Sequence, residues 1–199
     1  MSYESSKPVL IVLSGPSGVG KGTLCKLLLK SRQRKLSLSV SATSRPPRPG
    51  EVEAIDYFFK TRAMFEDLIA SDAFLEWAEY NGHYYGTPLN SIRTRLSEGQ
   101  SVLLEIDVQG ALQVKQHFPE ACLVFILPPS LEILETRLRG RGNNSEEEIK
   151  SRMAIAASEI EQMKAHSDFT VVNDDLDTCL QRLEDIIASW PPKRPRSLD

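Results

Sequence analysis

Cysteine is scarce in this sequence, long apolar runs are missing, and neither sign of charge prevails. The three cysteines, Cys25, Cys122 and Cys179, lie far apart and form no C-x-x-C pair. A disulfide framework and a zinc site are therefore excluded, and the expected setting is a reducing one, the cytoplasm. The longest apolar runs, "VLIVL" and "CLVFIL", fall far short of the roughly 20 residues that cross a bilayer. No basic segment followed by an apolar one marks a secretory signal in the opening "MSYESSKP". With 24 Lys and Arg against 27 Asp and Glu, the formal net charge is -3. That balance argues against a general nucleic-acid binder, and no membrane or nucleic-acid partner is expected.

What is there is a chain able to build a core, 41% hydrophobic. Short apolar runs alternate with helical patterns. Val9–Ser14, Ser101–Asp107, Cys122–Leu127 and Phe169–Val172 read as strands buried on both faces, and Leu36–Ser41 alternates with period two. Helices are expected over Lys21–Ser31, Leu89–Glu98, Gln109–His117, Leu131–Leu138, Ser145–His166 and Leu176–Trp190. This alternation implies an α/β fold with a mainly parallel sheet flanked by helices. Two stretches break the rhythm. Residues 42–87 carry "TSRPPRPGEVEAIDYFF", where prolines exclude helix, then a short helix near Ala63–Ala70, then "FLEWAEYNGHYYGT". They read as an inserted lobe. Residues 138–148, within "RLRGRGNNSEEE", read as a small second insertion. The core then comprises about residues 8–41, 88–137 and 149–190, and the Pro-rich basic tail 191–199 is expected to be loose.

A phosphate cradle is the sharpest local signal. Gly15, Pro16, Ser17, Gly18, Val19, Gly20 and Lys21 give G-x-x-x-x-G-K directly after a strand and before a helix. Glycines let backbone N–H groups point inward, the helix N-terminus adds partial positive charge, and Lys21 adds a full one. Gly22 stands where a hydroxyl usually reaches Mg²⁺, and Thr23 follows one residue late. Magnesium tolerates several water ligands and can be held mostly by phosphates, so the site works if other groups fix those waters. No protein group is expected to ligate the metal directly. Glu105 and Asp107, at the end of a buried strand where ligands gather in open α/β sheets, are the candidates for ordering Mg²⁺-bound water.

The segments "SVSATSRPPRPGEVEAIDYFF", "FLEWAEYNGHYYGTP", "LLEIDVQG", "RLRGRG" followed by "EEEIKSRM", and "VVNDDL" resemble those of guanylate kinases, in that family's order, from Val9 to about Ile187. "GKGT" is also similar to the loop of adenylate kinases. The resemblance implies a P-loop kinase with an inserted GMP-binding lobe and a lid. The reaction implied is ATP plus GMP, and by extension dGMP, giving ADP plus GDP or dGDP, within purine nucleotide metabolism. Arg45 and Arg48 would clamp the GMP phosphate, with Tyr57 and Tyr85 donating hydroxyls to it and Ser41 near the base. Glu76, Thr87 and Asp107, with Gly86 beside them, would read guanine. Arg137, Arg141 and Arg152 would close on the transferring phosphoryl group with Lys21, and Asn173 would lie near adenine. The lobe and lid would close over the substrates and exclude water.

These residue types suit that chemistry. Two guanidinium forks match a dianionic phosphate better than lysine does. Guanine presents N–H donors at N1 and N2, which carboxylates accept; adenine would leave a facing carboxylate unpaired. No general base is needed, because a phosphate monoester with a second pKa of about 6 is already anionic near neutral pH. His83, His117 and His166 are accordingly read as surface or packing residues. Read without the resemblance, Tyr57 and Tyr85 fit ordinary packing, Glu76 a solvated surface acid, Asn173 a turn residue, and the charged loop a solvated one.

Two other functions compete. A guanylate-kinase-like scaffold module would have a degraded phosphate loop, whereas Lys21 and the lid arginines are present. A kinase for a different phosphate-bearing substrate would have no use for the pairing of Glu76 with Asp107. The expected state is a monomer or small homo-oligomer. Gly22→Ser is expected to keep phosphoryl transfer and Lys21→Ala to lose nearly all of it. A coupled assay of ADP formation measures both, and full activity in Lys21→Ala contradicts this reading of the loop.

Overall fold

In the computed structural model, which describes residues 7–31, 36–140 and 145–190, the first apolar run becomes β1 (Leu10–Ser14). Every residue of it is buried, because helices cover both faces of the sheet it centres. Leu10 and Val12 point into one apolar cluster, and Ile11 and Leu13 into the other. Each such side chain, fully buried, contributes roughly 1.5–3 kcal/mol.

Four strands join β1 in a five-stranded parallel sheet. They are β2 (Leu36–Leu38), β7 (Ser101–Glu105), β8 (Cys122–Leu127) and β9 (Phe169–Val172), in the order β2-β7-β1-β8-β9. Parallel neighbours need crossovers. These are supplied by α1 (Lys21–Lys30), α3 (Leu89–Ser97), α4 (Val108–His117), α5 (Leu131–Arg139) and α6 (Glu146–Met163), and α7 (Leu176–Ser189) follows the last strand. Short polar residues start several helices. Asp107, Ser130, Ser145 and Asp175 each accept a first-turn backbone N–H, and Ser145 with Glu148 forms a reciprocal capping box.

Two expected strands are shorter than their sequence pattern. The run Leu36–Ser41 pairs as a strand only to Leu38, because the chain then leaves the first sheet and enters a second one at Ala42. The run Ser101–Asp107 ends at Glu105, because Asp107 turns away to cap α4.

The second sheet takes its strands from residues 42–88: β3 (Ala42–Thr43), β4 (Phe58–Phe59), β5 (Phe74–Tyr80) and β6 (His83–Pro88), in the order β4-β3-β6-β5. Strands β5 and β6 form a hairpin closed by Tyr80 opposite His83. Its two turn residues, Asn81 and Gly82, both have positive φ, at 50° and 75°, as a right-twisting two-residue turn requires. Helix α2 (Arg62–Ala70), capped by Thr61, covers this sheet with Phe65, which stacks on Phe74 and Tyr84.

Strand β5 has strand β6 on one side only. Its other edge faces α4, where the amide of Gln113 takes the place of a strand, accepting from Trp77 N at 3.1 Å and donating to Trp77 O at 2.9 Å. One turn further on, Nδ1 of His117 lies 2.9 Å from Leu75 O. The sheet edge is thus satisfied by α4 rather than left to pair with another chain. Among the described residues no helix is long and apolar enough to cross a membrane. Arg141, residues 142–144 of the expected lid and the tail 191–199 lie outside the described residues.

Candidate active site

The ends of β1 and β7, the start of α4 and the β5–β6 hairpin meet at one edge of the parallel sheet. Two groups of predicted residues collect there. The first is the loop between β1 and α1. Gly20 sits at the helix N-cap with φ 104°, a conformation that L side chains rarely adopt. A Cβ there would also stand 2.6 Å from Nδ2 of Asn173. That amide donates to Val19 O at 2.8 Å, so buried Asn173 holds the loop's backbone from behind. Arg137 reaches the same place, donating to Asn173 O at 3.0 Å and Val19 O at 3.4 Å. Arg152 comes within 3.5 Å of Ser17 Oγ from α6. Lys21 curls over the loop and donates to the carbonyls of Gly15 and Pro16. Burial is the main influence on its ammonium and pulls its pKa down, opposed by Glu105, Glu159 and Asp107.

Thr23 is exposed in the first turn of α1, next to Gly22. At Gly22 the missing side chain points at an acid: a Cβ there would lie 3.4 Å from Oε1 of Glu105, an ordinary van der Waals contact. The residue that lacks a metal-seeking hydroxyl thus abuts a carboxylate exposed at the end of β7. The Cys25 thiol also hydrogen-bonds Glu105, and burial pushes that thiol's pKa well up, so it stays protonated. Among the described residues no group of three or more His, Cys, Asp or Glu side chains is placed to hold a metal ion.

The second group lines a cleft between the two sheets: Ser41, Tyr57, Glu76, Tyr85, Gly86 and Asp107, together with Glu105. Glu76 is 7% exposed. Thr87 donates to its Oε1 at 2.5 Å. Burial raises its pKa to about 7; the Thr87 hydrogen bond pulls the other way, and Asp107 adds to the rise. Asp107 is exposed, and its Oδ1 accepts from Gly110 N at 2.8 Å. At Gly86 a Cβ would stand 2.8 Å from Glu76 O and 2.9 Å from the Trp77 side chain, so only glycine lets β6 lie this close under Glu76.

At the mouth of the cleft, Arg45 pairs with Glu51 at 2.8 Å and donates to Pro46 O at 2.7 Å. Its guanidinium lies 5.6 Å from the centre of the Tyr57 ring, which meets Tyr85 edge-on at 6.1 Å. The other oxygen of Glu51 accepts from Arg48 N at 2.7 Å. Burial raises the Tyr57 pKa further, so its hydroxyl remains a donor. Arg139, unlike its neighbours, faces away into ion pairs with Glu135 and Glu146 that tie α5 to α6.

Four residues here escape sequence reasoning. Glu159 influences Lys21 from the middle of α6, and burial is what chiefly raises its pKa. Cys25 reads from sequence as one more apolar position of α1. Glu51 does carry a signal, three and six residues after the two arginines. Gly110 is the fourth, an unremarked glycine in a helix.

Comparison with known proteins was made on the whole chain. The family model described as guanylate kinase matches residues 7–190. The guanylate kinase of Synechocystis sp. is 55% identical over 184 residues, covering 92% of this chain and 95% of that protein. That of Halalkalibacterium halodurans is 47% identical over 196 residues, covering 98% and 95%. Among solved structures, the crystal structure of guanylate kinase from Anaplasma phagocytophilum matches with a TM-score of 0.74 at 33% identity, covering 95% of this chain and 89% of that one.

The carboxyl of Glu76 makes stability depend on pH. Its pKa is higher in the folded protein than the ordinary 4.5, so the folded state keeps a proton that the unfolded chain releases. The favourable contribution is complete below the unfolded pKa and is lost as pH rises through about 7. Relative to Glu76→Gln, the wild type is therefore expected to lose about 1–3 kcal/mol of unfolding free energy between about pH 5 and about pH 8. Urea denaturation across that range measures it, and a constant difference contradicts the burial of an ionisable Glu76.

Proposed function

The chain belongs to the guanylate kinase family, and we propose that it transfers the γ-phosphoryl group of ATP to GMP, and to dGMP, in one in-line step. The observation that carries this reading is the pair of carboxyl groups, Glu76 and Asp107, lining one cleft with Tyr57, against which Arg45 lies, and Glu105, which abuts Gly22 of the phosphate loop. Guanine brings N–H donors to both; adenine brings a lone pair at N1 and would leave a buried carboxyl unmatched.

In this reading the triphosphate of ATP lies against the N–H groups of the loop and the start of α1, with Lys21 on the β and γ phosphates. Arg45 and Arg48 take the GMP phosphate, joined by the hydroxyls of Tyr57 and Tyr85. Glu51 orients the Arg45 fork by accepting from one edge of the guanidinium. Arg137, which donates to Val19 O, and Arg152, beside Ser17 Oγ, would close on the equatorial oxygens of the transferring group. Arg141 is placed with them by its position in the sequence alone. Charge stabilisation of this kind is worth about 10³–10⁵ in rate. A GMP phosphate oxygen attacks the γ-phosphorus, the bond to the β–γ bridging oxygen breaks, and ADP leaves. Mg²⁺ bound with the phosphates would supply charge neutralisation. Glu105 beside Gly22, with Asp107, would hold its water ligands.

ADP release with GMP, dGMP, AMP, CMP and UMP as acceptors tests the proposal. GMP is expected to be turned over well, dGMP at a comparable rate, and the other three at under about 1% of it, given what a buried unpaired acceptor costs. Strong turnover with AMP and none with GMP overturns the reading.

A further inference from the structure

Gly110 occupies the first turn of α4 without any backbone reason to be glycine. Its φ is not positive, and helix propensity alone favours alanine there. What excludes a side chain is Glu76. A Cβ at residue 110 would lie 2.7 Å from Oε2, closer than real Cβ contacts come, and 3.2 Å from the carboxyl carbon, tighter than most. An exposed glutamate would swing aside. Glu76 has little freedom to do so, because it is buried, Thr87 holds its other oxygen at 2.5 Å, and α4 grips the strand on both sides of it. The grip comes from the same face of the helix: Gln113 binds Trp77 N and O, and His117 lies against Leu75 O. Residues 110, 113 and 117 recur at helical spacing, so one stripe of α4 faces β5. The N–H of Gly110, meanwhile, holds Asp107.

We propose that Gly110 is a positioning residue for guanine selectivity, whose missing side chain sets how deep the Glu76 carboxyl stands in the cleft. The proposal rests on the reading of Glu76 as the group that accepts from guanine. Alanine at 110 keeps the N–H that holds Asp107 and meets Ile106 at an ordinary 3.4 Å, so the group it crowds is Glu76.

The test compares KM for GMP and for ATP in wild type, Gly110→Ala, Glu76→Asp, the double variant and Glu76→Gln. Gly110→Ala is expected to raise KM for GMP about tenfold and leave KM for ATP within about twofold. Aspartate is one methylene shorter and stands clear of the added methyl. The double variant is therefore expected to bind GMP no worse than Glu76→Asp, the signature of coupled sites. An unchanged KM for GMP in Gly110→Ala overturns the proposal, as do single-variant losses that multiply in the double. If Gly110→Ala fails to fold, recovery of its circular dichroism in the double variant supports the clash, and no recovery overturns it. Glu76→Gln separates the two layers. If it leaves KM for GMP unchanged, the guanine reading fails and this proposal with it. If it raises KM while Gly110→Ala does not, only the role of Gly110 fails.

Discussion

A carboxyl group kept out of water, with Thr87 for its hydrogen-bond partner, is the constraint around which this cleft is built. Left alone, such a group either takes a proton or destabilises the fold. Glu76 is held in that position by parts that come from distant sequence: Thr87 across the hairpin, Gly86 beneath it, and the 110–113–117 stripe of α4 on its far side. The strand carrying it is an edge strand, which ordinarily would be the most mobile part of its sheet. The side-chain amide of Gln113 removes that freedom by completing the strand's outer ladder at Trp77. Under the proposed function, rigidity is thereby placed where recognition would require it, and a ligand with paired N–H donors would complete the hydrogen bonding of the carboxyl.

The phosphate end follows the opposite logic. Here cations are in excess and the structure supplies temporary partners for them. Lys21 rests on the loop carbonyls, Arg45 on Glu51, and Arg137 on the carbonyls of Val19 and Asn173. Under the proposed function each of these contacts would give way to a stronger charge-assisted bond to a phosphate dianion. Buried Asn173 ties the loop to β9, so the helix N-terminus and its N–H groups are fixed in place before any anion arrives. At Gly22 the backbone of α1 passes beside Glu105, at a distance where a Cβ would make an ordinary van der Waals contact with the carboxylate.

Much of this was legible in the chain. Continuous apolar runs marked β1, β7 and β8, because a sheet covered on both faces needs no alternation. The cradle was legible because Gly15, Gly20 and Lys21 lie within seven residues, where local spacing decides geometry. Strand β2 was overread, because period two in "LSLSVS" continues past the point where the chain changes sheets, a decision made by tertiary pairing at Ala42. The Asn81-Gly82 pair is a local hairpin signal, and the chain turns there with both residues at positive φ. Gly110, Glu159 and the stapling by Gln113 were invisible for a different reason. Each gains its meaning from a partner more than thirty residues away, Glu76, Lys21 and Trp77 respectively, and nothing local distinguishes them.

The central claim is that guanine replaces a proton as the partner of Glu76. Calorimetric titration of GMP at about pH 6.5, in buffers of different ionisation enthalpy, counts the protons exchanged on binding. The GMP phosphate contributes equally to wild type and Glu76→Gln, so the difference between them belongs to residue 76. Wild type is predicted to release more protons than the variant, because the carboxyl ionises as the base docks. Equal release in the two proteins would contradict the account.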